Sequence, residues 1–362
     1  MELTGRDVLG FRVRAQQLDR DAGSVADTAV LDLGVQDTGT DGAAWALLLR
    51  GLPAPPADEL VLLWTLRGAP HLYRRADLAD VAAATAPFSE ADAAKRVFDA
   101  ARPLRAAGIP VLTGLDTIAA RMREIVREPM VKGEMSGRLS AVLDPPYLRD
   151  CVPCGAVHAH EQPFRLAALR AGLELQPGTS PPVLRPIAGF APAADTPDRL
   201  DVVRAYLRLL GPATPAHVAG YLDAPVKEVR ARWPADAVEV RVDGEQRWVL
   251  AEDADRLAAG PPAVTRLLGS HDLFLQARDR TTLLPDPAHA RELWRVIGRP
   301  GGVLSGGALV GSWRARTTGR KLDLAVTAYG PVSPRLRDDI GAEAERLAAF
   351  RGLALRTLAV EG

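Results

Sequence analysis

An α+β fold is what this sequence predicts: tandem modules of helices closed by a β-hairpin, then a small antiparallel, barrel-like β-sheet and a terminal helix. Length is the first observation, since 362 residues exceed one ordinary hydrophobic core. The second is a run of three helix signals and a hairpin signal at 198–258. The third is a set of short apolar runs broken by glycine at 265–325, followed by a helical apolar face at 331–351.

The first module is expected over 1–88. Residues 2–20 read as a helix, with Leu3, Val8, Leu9, Val13 and Leu18 on a loose stripe. Thr4 stands three residues before Asp7, the capping-box spacing. After a polar, glycine-rich stretch ending at Gly42, Ala43–Leu49 fits a helix closed by Arg50 and Gly51. Residues 61–73 read as a short helix running into a hairpin, and 74–78 open another helix.

A second, mostly helical module is expected over 89–197. Thr113 is read as the cap of a helix bearing Ile118, Met122, Ile125 and Val126, and Ser136 lies at or near the start of another. The third module, 198–258, is the clearest. Thr214-Pro215 has the cap-and-first-turn chemistry of a helix start, and Asp243-Gly244 between two alternating runs is a strong hairpin signal. Three helices and a wing make a winged helix, a helix-turn-helix variant, which either touches nucleic acid or packs domains together. Residues 259–362 form the C-terminal β-rich domain, with Leu336, Ile340, Ala344, Leu347 and Phe350 on one face of its final helix.

Charge narrows the function classes. The chain has 45 basic and 45 acidic residues, so bulk electrostatic coating of nucleic acid is not expected, although a local basic face remains open. No apolar run has transmembrane length, and the charged N-terminus does not resemble a secretory signal. With only Cys151 and Cys154, a disulfide scaffold is not expected either. The expectation is a cytoplasmic, monomeric protein with no membrane partner.

Several segments have residues suited to chemistry. In Gly34-Val35-Gln36-Asp37-Thr38, the Gln36 amide can hold a water while a carboxylate stabilises positive charge or accepts a proton; a structural turn is the alternative. In Trp64–Leu72, Arg67 and His71 either bind phosphate, with His71 also able to act as acid or base, or serve in an ion pair and a carbonyl cap. Cys151, Cys154, His158 and His160 suit a zinc site, a redox pair or plain reduced thiols, and zinc is the one cofactor considered. Arg314, Arg316, Arg320 and Lys321 form a basic cluster that either grips a duplex backbone or is simply solvated. No P-loop, HExxH or dinucleotide fingerprint is found, which lowers ATPase, zinc-protease and dehydrogenase readings.

Taken together, these motifs resemble the winged-helix DNA-binding family that includes the AlkZ-like DNA glycosylases. The likeness lies in Gly34–Thr38, in Ala46–Arg50, in Trp64–Leu72 and in His271-Asp272-Leu273-Phe274-Leu275 with Arg278-Asp279-Arg280. It continues through Val310-Gly311-Ser312-Trp313 and Glu343–Phe350. The resemblance implies tandem winged helices around a concave surface for double-stranded DNA. It also implies monofunctional hydrolysis of the N-glycosidic bond of alkylated, bulky or cross-linked purines. Gln36, Asp37 and Thr38 are then the catalytic candidates, and Arg50, Arg67, His71 and the 314–321 cluster the DNA contacts. At the second catalytic position the family has Gln or Asp, and here it is Thr38. A noncatalytic DNA-binding or regulatory protein is therefore the alternative.

Overall fold

The computed structural model describes residues 1–152 and 155–362. One topology recurs along the chain: a helix, a short strand, further helix, then a hairpin whose second strand pairs antiparallel with the short one. It first uses helix Gly5–Ala15, strand Val35–Gln36, helix Gly42–Leu48 and the hairpin Leu60–Trp64 with Pro70–Arg74. It returns in helix Val111–Ile125, strand Met130–Val131, helices Lys132–Ser140 and Glu161–Arg170, and strands Leu173–Leu175 and Val183–Pro186. The last occurrence is helix Val202–Leu210, a bridge from Ala213 to Trp248, helices Pro215–Leu222 and Val226–Ala231, and strands Ala237–Val242 and Glu245–Leu250.

Pairing between these units builds a mixed α+β molecule. The first two hairpins meet edge to edge where Leu62 opposes Leu175, giving a 6-stranded sheet. The last hairpin gains strand Glu2–Leu3 as a parallel edge. A 5-stranded sheet follows, running from Thr265–Leu268 to Ala354–Glu361. Among the described residues no helix is long and apolar enough to cross a membrane.

Local signals behave as local chemistry dictates. The Thr4–Asp7 capping box forms, and Thr214 caps a helix with Pro215 in its first turn. Asp243 and Gly244 take positive φ values of 49° and 81°, as a tight hairpin turn requires.

Other expectations are corrected by tertiary partners. Residues 2–3 are a strand rather than helix, because the last hairpin offers them an edge. The short helix expected after Val61 is absent: Leu60–Trp64 is a wholly buried strand, the environment that makes an unbroken apolar run ambiguous. The helix assigned to a Thr113 cap starts at Val111, where the carboxylate of Glu90, at the start of the distant helix Glu90–Arg96, accepts the Val111 and Leu112 amides. Residues 148–159 hold a hairpin, Leu148–Cys151 with Ala156–Ala159. The C-terminal sheet is not purely antiparallel. Ala354–Glu361 pairs parallel with Lys321–Ala328, and helix Pro334–Phe350 supplies the crossover that a parallel pair needs.

Buried charge ties the chain's two ends together. Between strands Thr265–Leu268 and Gly301–Ser305 lies a segment with a 3-10 turn at Leu273–Gln276, flanked by Asp272 and Asp279. Asp272 accepts both terminal nitrogens of Arg50 at 2.8 and 2.9 Å. Asp279 accepts Arg12 at 3.0 and 2.8 Å and Arg247 at 2.6 Å. Burial alone would raise the Asp279 carboxyl, but Arg12 and Arg247 hold it below the usual carboxylate range. Two indoles donate to strand Thr265–Leu268, Trp45 to the Leu267 carbonyl and Trp313 to Leu268, and Trp294 donates to the Leu275 carbonyl of the 3-10 turn.

Removing one partner of such a pair strands a buried charge. Arg50→Ala is expected to lower unfolding free energy by about 3–5 kcal/mol. The double replacement Arg50→Met/Asp272→Leu should recover much of that loss in urea titrations.

Candidate functional site

Gln36 owes its position to a short strand pair. Val35 and Gln36 pair with Leu72 and His71, so Gln36 stands at a sheet edge next to the buried aspartate segment. Gly34 precedes it at φ 87°, where any Cβ would strike the Tyr73 ring. After it, the chain turns into helix Gly42–Leu48. Asp37 accepts the Ala43 amide at 2.9 Å, and a Cβ on Gly42 would collide with that carboxylate.

This turn separates the three catalytic candidates. Gln36 Nε2 donates to Thr38 Oγ1 at 3.1 Å, and both side chains line a cleft of about 350 Å³. Asp37 is spent on helix capping and is not among the cleft's lining residues. Two other carboxylates reach the cleft wall, Asp41 and Asp272, but Arg351 pairs with the first and Arg50 with the second. Every carboxylate lining the cleft is therefore already neutralised by an arginine.

A connected recess of about 200 Å³ shares Gln36, His271 and Arg299 with the cleft and adds Arg67, Gln276, Arg278 and Arg280. Arg67 holds φ 58°, a strained value for a residue with a side chain. Its guanidinium lies 4.4 Å from the Tyr221 ring centre. It donates to the Tyr221 carbonyl at 2.9 Å, to Gln276 Oε1 at 2.7 Å and to Gln36 Oε1 at 3.2 Å. All three acceptors are neutral. Among the described residues Arg67, Arg278, Arg280 and Arg299 make no ion pair, although all four line this recess.

Crowding of positive charge shows in the titration of the site. Burial first, then neighbouring guanidiniums, pull Arg278, Arg280 and Arg299 below the ordinary arginine range. Burial, Arg299 and Arg67 push His271 down to about 4, so its ring is neutral at physiological pH. A cleft lined by uncompensated arginines suits a polyanion, and the hydrogen-bonded Gln36 amide and Thr38 hydroxyl give it a polar wall on which a water can be held.

Some expected DNA contacts lie elsewhere. Arg50 is buried in its ion pair with Asp272 and cannot meet a phosphate. His71 is also fully buried, with Nδ1 against the Ala69 carbonyl at 2.9 Å; burial, then Arg67, push it down to about 3. Arg314 lines the cleft but is bound to Glu292 at 2.8 Å and the Gly298 carbonyl at 2.7 Å. Arg316, Arg320 and Lys321 sit exposed at the tip of the Ala308–Thr318 and Lys321–Ala328 hairpin, outside the cleft's lining residues.

For the zinc candidates, Cys154 lies outside the described residues. Cys151 and His158 belong to the 148–159 hairpin, where they pair with Ala156 and Arg149. His160 is buried, 3.9 Å from Asp99. Among the described residues no three His, Cys, Asp or Glu side chains gather as a metal site.

Sequence reasoning did not assign His271, Gln276, Arg278, Arg280 or Arg299 to the site. The available signal was the mixture of two aspartates with arginines around the apolar Leu273-Phe274-Leu275.

Fold and cleft together define a protein of several helix-plus-hairpin units with a cationic cleft beside an early glutamine. A family model described as DNA glycosylase AlkZ-like matches residues 30–350, and the chain belongs to that family. Its fold is similar to that of the Streptomyces sahachiroi DNA glycosylase AlkZ, with TM-score 0.75 at 22% identity, covering 99% of this chain and 100% of that one. No curated protein sequence matches the chain.

The two depressed histidines give the fold a pH dependence. Unfolded, both titrate near the ordinary value of about 6.5. Folded, they stay neutral down to about 4 for His271 and about 3 for His71. Their contribution is complete above the unfolded value and declines as pH falls below it, since the unfolded chain then binds more protons. Urea midpoints are expected to drop steadily from pH 7.5 to 5, with a shallower slope in His271→Asn.

Proposed function

We propose that this chain is a DNA-repair glycosylase that hydrolyses the N-glycosidic bond of alkylated purines in double-stranded DNA. The observation that carries the reading is the placement of Gln36 and Thr38 beside four arginines that, among the described residues, have no acidic partner. Those arginines take the phosphates, as charge-assisted bonds to phosphate favour. Gln36 and Thr38 hold the attacking water near the sugar.

The same geometry restricts the substrate. With Asp37, Asp41 and Asp272 all engaged, the site has no free carboxylate to stabilise an oxocarbenium-like sugar. Its chemistry therefore suits lesions that leave readily unaided, namely purines made cationic by N7- or N3-alkylation. Bulky or cross-linked adducts of this kind fall in the same class.

The winged-helix reading belongs with this proposal. The recurrent helix–strand–helix–hairpin topology supports modules at 1–88, 89–197 and 198–258, with a β-rich domain at 259–362. Arg316, Arg320 and Lys321 then extend the grip along the backbone from their exposed hairpin tip. The engaged carboxylates equally favour a second reading, in which the chain binds damaged duplex without cleaving it.

Abasic-site formation on duplex carrying N7-methylguanine separates the two. The enzyme reading expects base release, reduced by about 10²–10³-fold in Gln36→Ala with duplex binding retained. It also expects faster release in Thr38→Asp. Tight binding with no release from any cationic lesion establishes the noncatalytic reading instead.

A further inference from the structure

Val296 and Ile297 are 95% and 84% exposed, an adjacent pair of large apolar side chains standing in water. They occupy the loop between helix Pro287–Leu293 and strand Gly301–Ser305, and both ends of that loop belong to the cleft. Trp294 lines the arginine recess and donates its indole N–H to the Leu275 carbonyl at 2.9 Å. Arg299 lines both the recess and the larger cleft, with Pro300 beside it in the latter.

The loop is held in place despite its exposed tip. Gly298 turns at φ 64°, and its carbonyl accepts Arg314 at 2.7 Å. Arg314 in turn grips Glu292 at 2.8 Å, fastening the loop to the helix before it. The apolar pair is thus displayed by a braced turn, with Arg295, paired with Glu292 at 3.6 Å, before it and, among the described residues, the unpaired Arg299 of the recess after it.

We infer that Val296 and Ile297 are a wedge that enters the base stack of the duplex lying in the cleft. This rests on the glycosylase reading of that cleft. Charge and shape both select this occupant. Arg299 and the neighbouring recess arginines call for a polyanion, whereas the tip calls for an apolar space, and a DNA duplex offers both at once, phosphates outside and base faces within. Side chains of this type, inserted between base steps, unstack and kink DNA. Prying bases apart next to the Gln36 cleft exposes the glycosidic bond to a water held there.

The test uses duplex with 2-aminopurine next to an N7-methylguanine or its uncleavable analogue, the full chain, and its Val296→Ser/Ile297→Ser variant. Both side chains are exposed, so an unchanged melting temperature is expected in the variant. Wild type should raise 2-aminopurine emission severalfold, while the variant should bind about tenfold more weakly and leave emission flat. Wild-type binding without an emission rise, or a variant indistinguishable from wild type, overturns the wedge and leaves the glycosylase reading standing. Failure of both proteins to bind duplex at low salt overturns both.

Discussion

Asp279 and Asp272 lie seven residues apart, and both are buried against arginines from other parts of the chain. Arg12 comes from the first helix, Arg50 from the turn just after the helix that follows the Gln36 loop, and Arg247 from the last hairpin. A single short segment is therefore pinned to three separate elements. Such pairs contribute little net stability compared with apolar packing, but they are intolerant of displacement, because a shifted partner leaves a charge in low dielectric. What they supply here is position. The residues between and beside the aspartates, His271, Gln276, Arg278 and Arg280, are forced to face Gln36.

That positioning explains why the cleft can stay so positive. Four arginines in one recess repel one another, and their proximity must be sustained by contacts elsewhere. Arg67 is held by neutral acceptors and by the Tyr221 ring, at the cost of a left-handed backbone. The acidic residues that would relieve the repulsion are used on other arginines instead. A formally neutral chain thereby concentrates uncompensated charge in one place, which whole-chain composition could never reveal.

The sequence was legible where a few neighbouring residues decide the outcome. Thr4 with Asp7, Thr214 with Pro215, and Asp243 with Gly244 each carry their own geometry, and each forms. It was illegible where the partner is remote. Glu90 caps a helix some twenty residues further on, and strand Glu2–Leu3 exists only because of a hairpin beyond residue 236. The site divides in the same way. Arg50 and Arg67 look alike in sequence, yet Asp272 takes one into the interior, while the other donates only to neutral groups. Asp37 and Thr38 are likewise adjacent, and one helix N-terminus claims the carboxylate and leaves the hydroxyl beside Gln36.

On the proposed function, duplex DNA lies across the surface where the Gln36 loop, the aspartate-pinned segment and the 295–300 loop converge. Amide hydrogen exchange, followed with and without a duplex bearing an uncleavable alkylpurine analogue, reads this directly. Slowed exchange is expected at 34–42, 271–280 and 295–300 in the complex. Slowing restricted to the helices and hairpin of 215–250, with those three segments unchanged, would contradict that placement.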